Sequence, residues 1–168
     1  MKPVREKMPY RDCVGTAVFN AEGLVLIGRR KPEDDPEDTS ETNAPWQMPQ
    51  GGIDKGEDPG PAALRELAEE TAVTSAAIIA ESPEWYTYDL PDHLIGKSWK
   101  GKYRGQTQKW FALRFLGDDG EINLAPPGHK QEFDQWRWAR MDEILDIIVP
   151  FKRPVYERVI EDFRHLGA

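Results

Sequence analysis

Residues 51–73 constrain this chain more than any other stretch. They begin with Gly51-Gly52-Ile53-Asp54-Lys55-Gly56-Glu57, a glycine-rich loop, and run straight into a segment with helical periodicity from Pro59 to about Thr71. Asp58 stands where a helix cap belongs, and Pro59 falls in the first turn, where a missing N–H does no harm. At about 100° per residue, Ala63, Leu64, Leu67, Ala68 and Thr71 lie on one side of that helix. Glu66, Glu69 and Glu70 gather on the other side, within about a quarter of the circumference. The apolar side needs a core to cover it. For the acidic side a solvated stripe is the ordinary fate, but such stripes normally mix in lysine. Here carboxylates three and four residues apart repel by about 0.2–0.5 kcal/mol per pair, and they sit towards the helix end where the dipole disfavours anions. A hard divalent cation, which seeks oxygen donors, would remove that repulsion.

The loop adds to this. Backbone N–H groups of a glycine-rich turn and the start of a helix form a natural seat for phosphate. Gly51 and Gly56 have the spacing of a P-loop, yet Glu57-Asp58 occupies the place of the Lys and Ser or Thr that a P-loop requires, which excludes that class. No Gly-x-Ser-x-Gly elbow is present, and His93, His129 and His165 have no metal-ligand or triad spacing to one another or to Cys13. Cys13, the only cysteine, adjoins an apolar run and reads as a buried, inert thiol.

Around this segment the pattern is of strands interleaved with helices. Residues 14–19 and 24–27 form a predicted hairpin across Asn20-Ala21-Glu22-Gly23, with Gly28-Arg29-Arg30 closing its second strand. Extended pieces are expected at 46–49, 76–80, 84–88, 107–115 and 136–139, a turn at 117–120, and two helices at 141–148 and 154–165. Trp46, Trp110, Trp136 and Trp138 fall in strand-like segments and are expected in the core. One domain spanning residues 1–168 is expected, of α/β (α+β) class, with a mixed β-sheet flanked by helices. Residues 31–45 carry one Lys against six acidic side chains and three prolines, so a mobile acidic surface loop is expected there.

The net charge of −8 argues against broad binding along extended double-stranded nucleic acid. Residues 97–117, with six basic side chains and no acidic one, leave room for a local surface that holds a small polyanion. No run of about 20 apolar residues could span a membrane, and Met1-Lys2-Pro3-Val4-Arg5-Glu6-Lys7 lacks the apolar centre of a signal peptide, so a cytoplasmic protein is expected.

Taken together, Gly51, Glu57 and Arg65-Glu66-Leu67-Ala68-Glu69-Glu70-Thr71-Ala72-Val73 resemble the signature of the Nudix hydrolases, which fixes many residue types over 23 positions. Ala72 departs from it, since the family usually has Gly there, and Ala in a left-handed helix end costs about 1 kcal/mol. Within the family the chain is most similar to the bacterial RNA pyrophosphohydrolases and dinucleoside polyphosphate hydrolases. The residues that suggest it are Tyr10-Arg11, 46–52, 105–111, 132–138 and 151–156, in the family's order.

The resemblance implies a Nudix-type α/β/α sandwich and metal-dependent hydrolysis of phosphoanhydride bonds. Removal of pyrophosphate from the 5′-triphosphate end of RNA is the leading expectation, and cleavage of dinucleoside polyphosphates such as diadenosine tetraphosphate the second. A non-catalytic nucleotide-binding module is the alternative of another class, disfavoured because all three glutamates are kept. By resemblance, Glu66, Glu69 and Glu70, with Gly51 beside them, hold two or more ions of magnesium, or of manganese or another divalent cation. Glu57 pairs with Arg65 and fixes the loop to the helix. Glu70 and Glu132 are both candidates for accepting the proton of water. Arg11, Arg30, Lys109 and Lys152 are candidates for holding the triphosphate, and Tyr88 and Phe151 for stacking on a base, with burial in the core as their alternative.

Overall fold

A computed structural model describes residues 5–31, 46–96 and 101–167. The expected acidic loop lies outside these apart from Lys31.

The centre of the molecule is β1 (Tyr10–Phe19), whose β-branched and apolar run is almost entirely buried. It pairs in parallel with β7 (Gly105–Phe115) over ten residues, from Tyr10 opposite Gly105 to Phe19 opposite Arg114. On its other side β1 meets β2 (Val25–Arg30) at Phe19 and Val25, and β4 (Gln50–Gly52) along Cys13 to Gly15, both antiparallel. Outside β2 lie β3 (Trp46–Gln47) and β8 (Phe133–Ala139); outside β7 lie β5 (Ala76–Glu81) and β6 (Tyr86–Asp89), all antiparallel. The sheet is mixed, and helices flank it on both faces, as expected.

Because successive side chains alternate across a sheet, each central strand feeds two cores. Val14 and Val18 of β1, Leu26 of β2 and Phe111 and Leu113 of β7 face one way, onto Ala62, Ala63 and Leu67 of α1 (Pro59–Thr71). Ala17 and Phe19, Val25 and Ile27, and Trp110 and Ala112 face the other way, onto Val155, Tyr156, Val159, Ile160 and Phe163 of α2 (Arg153–Phe163). Gly15 is required by this second core: a Cβ there would stand 2.6 Å from the Trp110 indole, which lies flat on the backbone of β1.

Several expectations are corrected. Within residues 141–148, Met141–Asp146 form a 3₁₀ segment rather than an α-helix, and its three-residue turn puts Met141 and Ile144 on one inward side. Asp58 precedes α1 with extended backbone but makes no side-chain cap; its carbonyl accepts from Ala62 N–H at 3.0 Å. Leu64 is 41% exposed, and Ala62 takes the buried place on α1. Of the four tryptophans only Trp110 is fully buried; Trp46, Trp136 and Trp138 are half-buried against the edges of the two cores. Cys13 is buried, as expected.

Candidate active site

Three pieces of chain converge beside the start of the sheet. The 50–57 loop is locked on itself: Glu57 N–H donates to Asp54 O at 2.9 Å, and Asp54 N–H donates to Glu57 Oε1 at 3.0 Å. Gly56 sits in the left-handed region at φ 81°, which glycine adopts without penalty. Arg65 of α1 then ties loop to helix. Its Nε and Nη2 donate to the two Glu57 oxygens at 2.8 Å each, and Nη2 also donates to Gly52 O at 2.9 Å. Its remaining nitrogen, Nη1, donates to Glu66 Oε1 at 3.0 Å and Glu69 Oε2 at 3.1 Å. The Arg65 guanidinium, with the Asp54 N–H, holds the Glu57 carboxyl down to about 2. Glu57 and Arg65 therefore pair as expected, but neither lines the cleft described next; both position other groups.

The cleft encloses about 430 Å³ between β1, β4, α1 and the start of β8. Its walls include Glu66, Glu69 and Glu70 from α1, Glu132 from the approach to β8, and the cations Arg11, Arg30 and Lys130. The three helix glutamates thus share one cavity, in unlike surroundings. Glu69 is the most open, with its side chain 33% exposed, and Glu66 is less so at 17%. Glu70 is buried; its carboxyl is pushed well above the usual carboxylate range by desolvation, helped by Glu66 and Glu132 and opposed by Arg30 and the Gln50 backbone N–H. Its Oε2 has no hydrogen-bond partner among the described residues. Gly51 makes the seat for Glu66, whose carboxylate fills the space a side chain would take. Gly52 does the same for Arg11, whose guanidinium nitrogen would stand 2.5 Å from a Cβ at that glycine.

These residues suit a hard cation. A buried carboxylate oxygen without a donor is costly unless something positive meets it, and two neighbouring carboxylates face the same space. The set is an open row along one helix face: among the described residues no three carboxylate, imidazole or thiol groups close round a single point.

Other expectations divide. Arg11, Arg30 and Glu132 reach the cleft. Arg30 does so next to a register shift between Arg29 and Arg30, a bulge that re-aims the strand end. Lys109 does not line it; its Nζ donates to Ser82 O at 2.5 Å. Lys152 is 1% exposed and donates to Gln47 Oε1 at 2.9 Å, so it lies behind the wall rather than in it. Tyr88 is buried in the α2-side core with Phe151 tilted against it, ring centres 5.6 Å apart, which corrects the expectation of base stacking in favour of the core alternative. Phe151 is half-buried against that core and lines no part of the cleft. Of the basic stretch at 97–117, Arg104 bonds Asp89 at 2.7 Å and Arg114 bonds Asn20 O at 3.1 Å, and neither lines the cleft. Sequence reasoning missed Gln47, Gln50, Gln106 and Lys130 as lining residues. The three glutamines stand in the motifs that carried the resemblance; Lys130 had no signal.

The chain belongs to the Nudix family: the NUDIX domain model matches residues 9–159. Nudix hydrolases use divalent cations, in keeping with the carboxylate row. More particularly, the chain is 57% identical to a protein of Mesorhizobium japonicum named RNA pyrophosphohydrolase, covering 97% of this chain and 95% of that one. The protein of that name from Brucella ovis is 57% identical over 97% of this chain and 92% of its own length. Solved structures share the fold at lower identity. The MutT protein of Methanosarcina mazei matches with a TM-score of 0.66 at 19% identity, covering 93% of this chain and 96% of that one. An Ap4A hydrolase of C. elegans matches with a TM-score of 0.61 at 18% identity, covering 92% and 98%.

Proposed function

We propose that this protein removes pyrophosphate from the 5′-triphosphate end of RNA, with two or more divalent cations, magnesium above all, held by Glu66, Glu69 and Glu70 beside Gly51. When bound, such ions neutralise the phosphoryl oxygens and lower the pKa of water. The observation that carries the reading is the row of three helix carboxylates, one buried with an oxygen that has no partner among the described residues, in a cleft that also presents cations. The 57% identity to proteins named RNA pyrophosphohydrolase supports the RNA end as the substrate.

In this reading Arg11, Arg30 and Lys130 draw the polyphosphate into a cleft whose carboxylates alone would repel it. Arg65 bridges Glu66 and Glu69 by donating to both from one nitrogen, and Glu57 holds Arg65 in turn. Glu132, exposed to solvent in the lining of the cleft, accepts the proton of the attacking water and can hand it to bulk. Glu70, buried, serves the cation. A cytoplasmic location suits an RNA-end substrate, and among the described residues no helix is long and apolar enough to cross a membrane.

The deciding assay compares turnover of 5′-triphosphorylated RNA and of diadenosine tetraphosphate by the magnesium-loaded protein. Faster release of pyrophosphate from RNA supports the reading; cleavage of the dinucleotide alone rejects it. Glu132→Gln is expected to lower kcat by about 10²–10⁴-fold while divalent-cation affinity stays unchanged. A kcat within twofold of wild type rejects Glu132 as the base.

A further inference from the structure

Gln108, fully buried in β7, lies between Gln106 and Trp110 on the same face of the strand, and it makes three hydrogen bonds. Trp110 Nε1 donates to its Oε1 at 2.9 Å. Its Nε2 donates to Gln106 Oε1 at 2.8 Å and to Gln50 Oε1 at 3.0 Å. The direction of this chain follows from chemistry alone. An indole N–H only donates, so the atom facing Trp110 must be the Gln108 oxygen, and the other end of the amide must be NH2. The groups that receive those two hydrogens must then be the carbonyl oxygens of Gln50 and Gln106.

Gln50 and Gln106 both line the cleft. With their carbonyls engaged inward, each is left with an NH2 group that donates to no other described residue. Gln50 also contributes its backbone N–H to Glu70, so one residue joins the carboxylate row to this amide pair. A cleft with four carboxylates needs donors to hold a polyanion, and neutral NH2 groups supply them without competing for cations.

We infer that Gln108 is a positioning residue: anchored by Trp110, it fixes Gln50 and Gln106 with their NH2 groups toward the cleft, as donors to non-bridging oxygens of the substrate's phosphates. The inference rests on the anhydride-hydrolase reading of this site.

Gln108→Glu tests it. The carboxylate still accepts from Trp110, but it offers oxygen where NH2 stood, so Gln50 and Gln106 turn their NH2 groups inward and their carbonyls toward the cleft. Expected are a folded protein that melts below wild type because a carboxylate is now buried, kcat within about threefold, and KM for 5′-triphosphorylated RNA raised about tenfold or more. Gln108→Met, which adds no charge and leaves both amides free to rotate, is expected to raise KM by a smaller factor, about threefold. An unchanged KM in a folded Gln108→Glu protein overturns the inference. Where that variant does not fold, ¹⁵N spectra of the wild-type protein titrated with inorganic tripolyphosphate decide. The side-chain NH2 signals of Gln50 and Gln106 should shift while that of Gln108 stays protected from exchange; unmoved Gln50 and Gln106 signals overturn the inference. Shifts with tripolyphosphate in a protein inactive on RNA would remove the RNA reading and leave the amide pair standing.

Discussion

A Cβ placed on Gly51 would stand 2.0 Å from Oε2 of Glu66. The glycine and the carboxylate are therefore one fitted unit, although they belong to a loop and a helix 15 residues apart. Gly51→Ala must push the Glu66 carboxylate aside, and a displacement of about 1 Å at a reacting centre costs about 10²-fold in rate. The expected outcome is a loss of that order in kcat/KM, with weaker cation binding by calorimetry and a fold intact by circular dichroism. Wild-type cation affinity in the variant would show that Glu66 is not held by this fit.

The Arg65–Glu57 pair should govern acid stability. Glu57 titrates at about 2 in the folded protein and at about 4.3 when unfolded, so the folded state binds its proton less tightly. Its contribution is fully present above about pH 4.3 and is lost as pH falls towards 2. Glu57→Gln is expected to flatten the fall in melting temperature across that window. A slope equal to the wild type's would place the acid sensitivity elsewhere.

Glu70 has the opposite sign. Burial raises its carboxyl above the unfolded value, so its contribution is present below about pH 4.3 and is lost as pH rises through the raised value. With a chelator present, Glu70→Gln is expected to melt higher than wild type at pH 8 and at the same temperature near pH 4. In magnesium, its activity should fall by about 10-fold or more with weaker cation binding, as for a lost metal-site group. A variant less stable than wild type in chelator would show that the ionised Glu70 is satisfied in the free protein.

Ala72 is the only described non-glycine residue with positive φ, at 63°, and it closes α1 through its N–H to Ala68 O at 2.9 Å. Ala72→Gly relieves about 1 kcal/mol of left-handed strain, which corresponds to a rise of about 2–4 °C in a chain of this length. Kinetic constants should not change. A lower melting temperature would mean that the entropy lost by glycine outweighs the strain.

What the sequence made legible were elements whose periodicity is strong and whose partners are near. The α1 bounds, the three glutamates on one cavity wall, the Glu57–Arg65 pair and the left-handed Ala72 all follow from 20 or so contiguous residues. Lys109, Lys152 and Tyr88 went astray because a side chain's destination depends on strands far along the chain. Parity puts Tyr88 on the α2 face of β6 only once β6 pairs with β7, and Lys152 turns inward because Gln47, 105 residues away, waits there with a carbonyl. Gln50, Gln106 and Gln108 lie in two separate motifs, and their shared direction depends on Trp110 reaching the same buried layer. No local pattern encodes that meeting.

The ten-residue parallel pairing of β1 with β7 joins positions 95 residues apart. Closing so large a loop brings its entropic penalty before any of its rewards. A ribosome must therefore deliver the residues of β7 before the middle of the sheet can zip together, and until then the apolar run of β1 waits without its longest neighbour. The cleft waits with it, since Arg11 and Gln106 of its lining stand opposite each other only once that pairing is made.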